Sequence, residues 1–407
     1  SRGLGDVYKR QPLYGRMQSA IDQVNRCIQE NLTAIRVVKS YVRGDYEVEK
    51  FGVVNENLKS ESEKAFGTAV LNMPAMQFVM YGTILGILLI GGRLINEGQM
   101  MIGQLTSFLS YVLLILNSLM MMSNVFLLMT RSLASAERIM EVIDEKIDIT
   151  DENAKDIAVA KGEIEFDHVW FKYKDTAKEY VLSDVSFHIK PGQTVGIIGQ
   201  TGSSKTTLVQ LIPRLYDVTK GEVKIDGINV KEYPVRHLRD AVAMVLQKNT
   251  LFSGSLIGNL HWGNENATLD EIKEACQIAC VDEFVDRLAD GYDTEMGQEG
   301  VNVSGGQKQR ICIARAILKK PKVLILDDST SAVDTATEAK IRSGLAEKLP
   351  DMTKIIIAQR ISSVRHADQI IIMDRGHVEA IGTHESLLRD NQIYQEIYAS
   401  QKEGADL

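Results

Sequence analysis

Three short strings hold groups that could act on phosphate. The first, Gly199-Gln200-Thr201-Gly202-Ser203-Ser204-Lys205-Thr206-Thr207, is a glycine-rich loop between an aliphatic run, Thr194–Ile198, and a helical stretch, Leu208–Ile212. Such a loop turns its backbone N–H groups toward phosphate oxygens, with the helix start behind them. On that reading Gly199, Thr201, Gly202, Ser203, Ser204 and Thr207 line the cradle, Lys205 reaches the terminal phosphates, and Thr206 ligates Mg²⁺. The second string, Val323-Leu324-Ile325-Leu326-Asp327-Asp328, is an aliphatic strand that ends in carboxylates. Asp327 there is suited to hold Mg²⁺ through water. The third, Ser304-Gly305-Gly306-Gln307, precedes a helical stretch, Lys308–Leu318, and its glycines and helix start make a second anion site.

Those strings need elements to hold them. From Gly162 onward, β-rich runs alternate with helical stretches: Glu163–Phe166, Thr194–Ile198, Val223–Ile225, Val323–Leu326, Lys354–Ala358 and Gln369–Met373. This alternation predicts an α/β domain built on a mostly parallel sheet.

The first part of the chain is different. Residues 12–64 read as a long charged helix, with Ile21, Val24, Ile28, Leu32 and Ile35 along one stripe. Charge then vanishes from Ala65 to Gly92, returns at Arg93 and Glu97, and vanishes again from Gly98 to Thr130. The cores, about 75–92 and 105–129, are long enough to cross a bilayer of ~30 Å at ~1.5 Å per residue. A buried hairpin of a soluble protein is the alternative, but two adjacent charge-free stretches of this length are hard to bury otherwise. Eight Lys/Arg lie between Arg16 and Lys64, Arg93 sits in the connecting loop, and Arg131 and Arg138 follow. Both ends of the hairpin are therefore expected in the cytoplasm, with residues 93–99 outside. Residues 12–141 thus form a partial transmembrane domain with cytoplasmic helical extensions, 142–161 a charged linker, 162–401 the α/β domain and 402–407 a tail.

Bulk properties agree. The 407 residues are 44% hydrophobic and 25% charged, enough for two or three folded domains. A net charge of −8 without a basic tract argues against a nucleic-acid partner. The cysteines Cys27, Cys276, Cys280 and Cys312 make no CxxC pair and no zinc spacing, and are read as reduced packing residues. Asp6-Val7-Tyr8-Lys9-Arg10-Gln11 can be encoded by codons that resemble a transposase adapter used in sequencing libraries. Residues 1–11 are accordingly read as translated adapter, and the chain as an N-terminally truncated piece of a longer protein whose natural sequence resumes at Pro12.

In order and spacing, the three strings resemble the P-loop nucleotide-binding domain of ATP-binding cassette (ABC) transporters. Together with the hydrophobic pair they resemble the exporter type, in which membrane helices and ATPase share a chain. The resemblance runs from Pro12 to about Gln401. It implies ATP and Mg²⁺ as ligands, Tyr173 as the aromatic that stacks on adenine, and Gln247 as the glutamine that senses Mg²⁺ with Thr206 and Asp327. It also implies that Ser331-Ala332-Val333-Asp334 is the loop between two ATP sites, and that Ser304, Gly305, Gly306 and Gln307 close over ATP held by a partner's loop. Glu30–Lys39 resembles the intracellular loop that docks on the partner's ATPase domain.

The chain departs from the family pattern at three places. Ser204 stands where a glycine precedes the lysine. Asp328 stands at the position of the general base, usually Glu. Gln359, after Ile355-Ile356-Ile357-Ala358, stands at the switch position, usually His. Misplacement of a reacting group by ~1 Å can cost ~10²-fold in rate. Gln can donate a hydrogen bond but cannot carry a proton or a charge. Asp328, Gln359 and Gln247 are the candidate catalytic residues. The combination resembles the slow-site subunit of heterodimeric multidrug exporters. The implied function is ATP-driven export of a small molecule, drug or lipid across the plasma membrane, beside a second exporter half that carries Glu and His, with the ATPase domain in the cytoplasm. A homodimeric exporter with two working sites and a regulatory, scarcely hydrolysing ABC subunit remain as alternatives. A soluble ABC ATPase would lack the stretch from Ala75 to Met129.

Overall fold

The computed structural model describes residues 2–70, 72–297, 300–329 and 332–403. Ser1 of the 1–11 segment, Ser331 of the Ser331–Asp334 loop and residues 404–407 of the tail lie outside the described residues. The chain divides into two units, Ser1–Glu145 and Lys146–Leu407.

The first unit is helical: α1 (Arg2–Thr33), α2 (Ile35–Ser40), α3 (Gly44–Val70), α4 (Asn72–Asn96) and α5 (Ile102–Ile143). The single helix expected over 12–64 is broken twice. Val42 takes φ 52°, a left-handed conformation unfavourable for a β-branched residue, and there the chain turns back. The reversal lets α3 pack on α1 through small residues, with Ala20, Cys27 and Ala65 buried. Asn31 Nδ2 donates to Glu47 Oε2 at 2.7 Å across the pair. Pro74 sits in the first turn of α4, where its missing N–H breaks no helical bond. Windows of α4 (Gln77–Asn96) and α5 (Ile102–Leu119) have mean hydropathies of 1.9 and 1.5 and are long enough to cross a membrane. Their apolar side chains face outward, Phe78 81% and Leu114 66% exposed. Water does not tolerate so much contiguous apolar surface, so lipid or further helices must cover it. Several hydroxyls on these helices bond within them: Thr83 Oγ1 donates to Val79 O, and Ser118 Oγ to Leu114 O, each at 2.8 Å.

The second unit begins with β1 (Ile164–Phe171), β2 (Leu182–Ile189), β3 (Thr194–Gly199), α6 (Lys205–Gln210), β4 (Lys220–Ile225), β5 (Ile228–Asn229), α7 (Val235–Ala241) and β6 (Val242–Val245). A largely helical stretch follows: β7 (Gly254–Ser255), α8 (Leu256–His261), α9 (Leu269–Ile278), α10 (Asp282–Val285), β8 (Glu295–Met296) and α11 (Gly305–Leu318). The chain closes with β9 (Val323–Asp327), α12 (Thr335–Lys348), β10 (Thr353–Ile357), α13 (Ile361–Val364), β11 (Gln369–Asp374), β12 (His377–Gly382), α14 (His384–Asp390) and α15 (Gln392–Glu403).

The expected mostly parallel sheet is one of two main sheets. A six-stranded sheet has the order β12-β11-β3-β10-β9-β6, parallel except for the antiparallel edge pair β11–β12. The expected strands at 163–166 and 223–225 belong instead to a four-stranded antiparallel sheet, β2-β1-β4-β5. The side-chain pattern explains the split. β9 is buried at all five positions, as a strand covered on both faces must be, whereas β2 alternates Leu182, Val185, Phe187 and Ile189 inward with polar residues outward. The predicted stretch Leu208–Ile212 straddles the end of α6, and its apolar residues are buried on both sides of that end. β10 lies between β3 and β9, with Ile357 paired to Ile197 on one side and Asp327 on the other. The carboxyl ends of these three strands therefore open at one edge of the sheet, where ligands of open α/β folds bind.

Candidate functional site

The Gly199–Thr206 loop leaves the end of β3 and runs into α6. Gly202 takes φ 86°, which a glycine adopts without strain. Ser204, the N-cap of α6, is also left-handed, at φ 70° and ψ 22°. The departure from glycine at this position thus falls where the backbone asks for one. Lys205 curls back on the loop: Nζ donates to the carbonyls of Gly199 and Gln200, each at 2.8 Å, and to Ser203 Oγ at 3.2 Å. Burial holds the Lys205 ammonium below its ordinary pKa, with Asp328 and Asp327 pulling the other way.

At the end of β9, Asp327 is buried. Its Oδ1 accepts the Thr206 hydroxyl at 3.1 Å, while Oδ2 has no hydrogen-bond partner among the described residues. A buried carboxylate oxygen without a partner is costly unless a ligand completes it. Mg²⁺ is usually held by one or two carboxylates and substrate phosphates. The Thr206 and Asp327 oxygens beside a phosphate loop fit that donor set. Burial raises the Asp327 pKa, and the Thr206 hydrogen bond opposes it.

Asp328 follows in a left-handed conformation, φ 48°, with its N–H bonded to Ile357 O at 3.0 Å. Its Oδ2 accepts Gln359 Nε2 at 2.8 Å. Gln247 also lies near this carboxylate and helps to hold its pKa down. Burial pushes the Asp328 pKa up; the Gln359 hydrogen bond and the Lys205 charge pull it back.

The structure therefore gathers Lys205, Thr206, Asp327, Asp328, Gln247 and Gln359. Tyr173 stands nearby, half exposed, with its hydroxyl 2.9 Å from Thr207 Oγ1 and its ring edge-on to Phe171 and Tyr216. Ser304–Gln307 is engaged elsewhere. Ser304 Oγ accepts the Gln307 N–H at 3.3 Å and Gln307 Oε1 accepts the Ser304 N–H at 2.8 Å, a reciprocal cap on α11. Among the described residues no hydrogen bond joins this cap to the Gly199–Thr206 loop. Gly305 and Gly306 lie against Ala332, and a Cβ on Gly306 would sit 2.7 Å from the Ala332 carbonyl. Asp334 caps α12 through the Thr337 N–H at 2.9 Å, which keeps its carboxyl below the usual range. One contact was not foreseen: Gln401 on α15 bonds the Gln359 carbonyl and the Ile361 N–H, the main chain directly after Gln359. No motif marks Gln401, and only the fold brings it there.

Comparison with known proteins agrees with this geometry. Residues 182–331 match the ABC transporter family and residues 9–119 the ABC transporter transmembrane region. "Uncharacterized ABC transporter ATP-binding protein YfiB" of Bacillus subtilis is 41% identical over 396 residues, 97% of this chain and 68% of that protein. "Putative multidrug export ATP-binding/permease protein YgaD" of the same organism is 36% identical over 401 residues, 95% of this chain and 68% of that protein. The solved structure of a bacterial Atm1-family ABC exporter with ATP bound superposes with a TM-score of 0.87 at 29% identity, covering 97% of this chain and 69% of that one. The chain belongs to the ABC transporter family, a helical transmembrane region fused to an ATP-hydrolysing domain.

Proposed function

We propose that this chain is one half of a dimeric ABC exporter whose own ATP site turns over slowly. The observation that carries the reading is the 2.8 Å hydrogen bond from Gln359 Nε2 to Asp328 Oδ2. The carboxylate at the base position is the shorter one, and it is tied to an amide that cannot take up a proton.

Each group has a role in this reading. Loop N–H groups and Lys205 bind the terminal phosphates, Tyr173 stacks on adenine, and Gln247 and Asp328 orient water. Thr206, Asp327 and Gln247 would hold Mg²⁺, whose chemistry is to neutralise phosphate charge. Ser304–Gln307, with Asp334 on the neighbouring loop, completes the site of a second subunit that carries the usual Glu and His. Two ATP molecules held between the domains draw them together, and the membrane helices change their facing. The exposed apolar faces of α4 and α5 support a multi-pass span of the plasma membrane with the ATPase domain in the cytoplasm. The multidrug export in the name of YgaD supports a drug or other small molecule as the exported substrate.

A second reading has its own support. Burial raises the Asp328 pKa, which makes it a stronger base, and a homodimer with two working sites would use it. Steady-state ATPase of the full chain in a lipid bilayer separates the two. The double substitution Asp328→Glu, Gln359→His is expected to accelerate hydrolysis at least ~10-fold, ≈ 1.4 kcal/mol of barrier. Brisk hydrolysis by the unaltered chain, with no gain from the substitutions, sinks the slow-site reading in favour of the homodimer.

A further inference from the structure

Gln401 lies near the end of α15, and its side-chain amide spans the main chain around Arg360, directly after Gln359. Nε2 donates to the Gln359 carbonyl at 2.7 Å, and Oε1 accepts the Ile361 N–H at 2.8 Å. A primary amide offers one face with a donor and an acceptor side by side, matching a carbonyl and an N–H two residues apart. Ile361 opens α13, so its N–H is one of the donors that a helix start leaves without an intrahelical acceptor. Gln401 supplies that acceptor. Gln359 in turn donates to Asp328. The three residues form one line of hydrogen bonds from the C-terminal helix to the end of β9.

The far end of α15 is anchored independently. Tyr394 is fully buried, with its hydroxyl 2.8 Å from His384 Nδ1 and its N–H on Asn391 Oδ1 at 2.8 Å. Between these two attachments, α15 and the Gly199–Thr206 loop line a cavity of about 460 Å³, with Ile397 and Ser400 on the helix and Thr201 and Gly202 on the loop. Packing along that side leaves room for movement, and the Gln401 amide ties the last turn of the helix to the site.

We propose that Gln401 is a positioning residue: by clamping the two peptide groups that directly follow Gln359, it fixes the backbone that carries Gln359, aims the Gln359 side chain at Asp328 and links the seat of the C-terminal helix to turnover at this chain's ATP site. The inference rests on the reading above, in which Gln359 and Asp328 face the terminal phosphate.

Single-turnover hydrolysis of ATP by the full chain in a lipid bilayer, measured across ATP concentrations, tests it. Gln401→Glu keeps the size and the acceptor toward Ile361 but sets a carboxylate against the Gln359 carbonyl. Gln401→Ala removes both contacts. Each is expected to change the single-turnover rate about 5-fold, the worth of one net hydrogen bond, with half-saturating ATP unchanged. In a Gln359→Ala background the same substitutions should change the rate less than about 2-fold, because the group that Gln401 acts through is gone. An unaltered rate in Gln401→Glu overturns the proposal. So does an equal change in both backgrounds, which marks a merely structural role. If Gln401→Ala unfolds, the Gln401→Glu pair decides alone. Brisk hydrolysis by the unaltered chain defeats the slow-site reading, yet the coupling between Gln401 and Gln359 is still read from the same data.

Discussion

Two helix starts in the ATPase domain, α6 and α11, begin in opposite ways. α6 starts at Ser204, left-handed and with no side-chain cap, so its first N–H groups stay open toward the loop. α11 starts at Ser304, extended, with a reciprocal side-chain cap that occupies two of its first donors, the Ser304 and Gln307 N–H groups. The first arrangement is strained and leaves its first donors for an anion; the second satisfies two of its first donors within the chain. A positive φ on a non-glycine residue costs roughly 1–2 kcal/mol. A Ser cap contributes about 1 kcal/mol. The difference suits a loop that binds its own phosphate and a helix start that holds its shape by its own cap until a partner arrives. Substitutions at the two starts should therefore have unlike effects.

The largest effect is expected at Lys205. Its ammonium makes three hydrogen bonds to the loop and is the group best placed to turn to phosphate. Lys205→Ala should weaken nucleotide binding at this chain's loop roughly 100-fold, since a hydrogen bond to a charged group is worth ~1.5–3 kcal/mol. Titration of the full chain with a fluorescent ATP analogue measures it. Ser304→Ala should leave that affinity within about 2-fold. Equal losses in the two variants would mean that both starts serve one site, and the contrast would fail.

The next effect is on stability. Ser304→Ala deletes the acceptor for the Gln307 N–H. It should cost about 1 kcal/mol, or roughly 3 °C in the melting temperature of a domain this size. Lys205→Ala removes a partly buried ammonium and should not lower the melting temperature. Thermal melts of the two variants, followed by circular dichroism, give the comparison its second axis.

How much of this was readable in the sequence follows from what is local. The glycine-rich loop, the aliphatic strand before Asp327 and the Ser-Gly-Gly-Gln helix start are contiguous strings, and each sits at the kind of element its pattern implied. Sheet membership was harder. β2 alternates inward and outward residues in the chain itself, but nothing local states that β1 and β4 leave the parallel sheet. The pairing of Asp328 with Gln359 depends on β10 lying beside β9, a strand order that sequence patterns do not record. The break at Val42 was hidden for another reason: a β-branched residue is among the last expected to take a positive φ. Gln401 lies furthest from legibility, because its contact with Gln359 bridges 42 positions and uses a residue type with no motif.

The smallest predicted effect bears most directly on α6. Ser204→Gly removes the Cβ from a residue at φ 70°. Relief of ~1–2 kcal/mol of left-handed strain is offset by the ~0.5–1 kcal/mol that a glycine loses in chain entropy on folding. The net gain should be about 0.5 kcal/mol, a rise of about 1.5 °C in melting temperature. The opposite substitution logic applies at Gly306, where a Cβ would meet the Ala332 carbonyl at 2.7 Å and any side chain should destabilise. Because Ser204 carries the peptide that leads into Lys205, the gain should come without loss of nucleotide affinity: glycine holds the same angles with less strain. A lower melting temperature for Ser204→Gly would show that the serine hydroxyl contributes more than its backbone costs, and the contrast in strain between the α6 and α11 starts would fail.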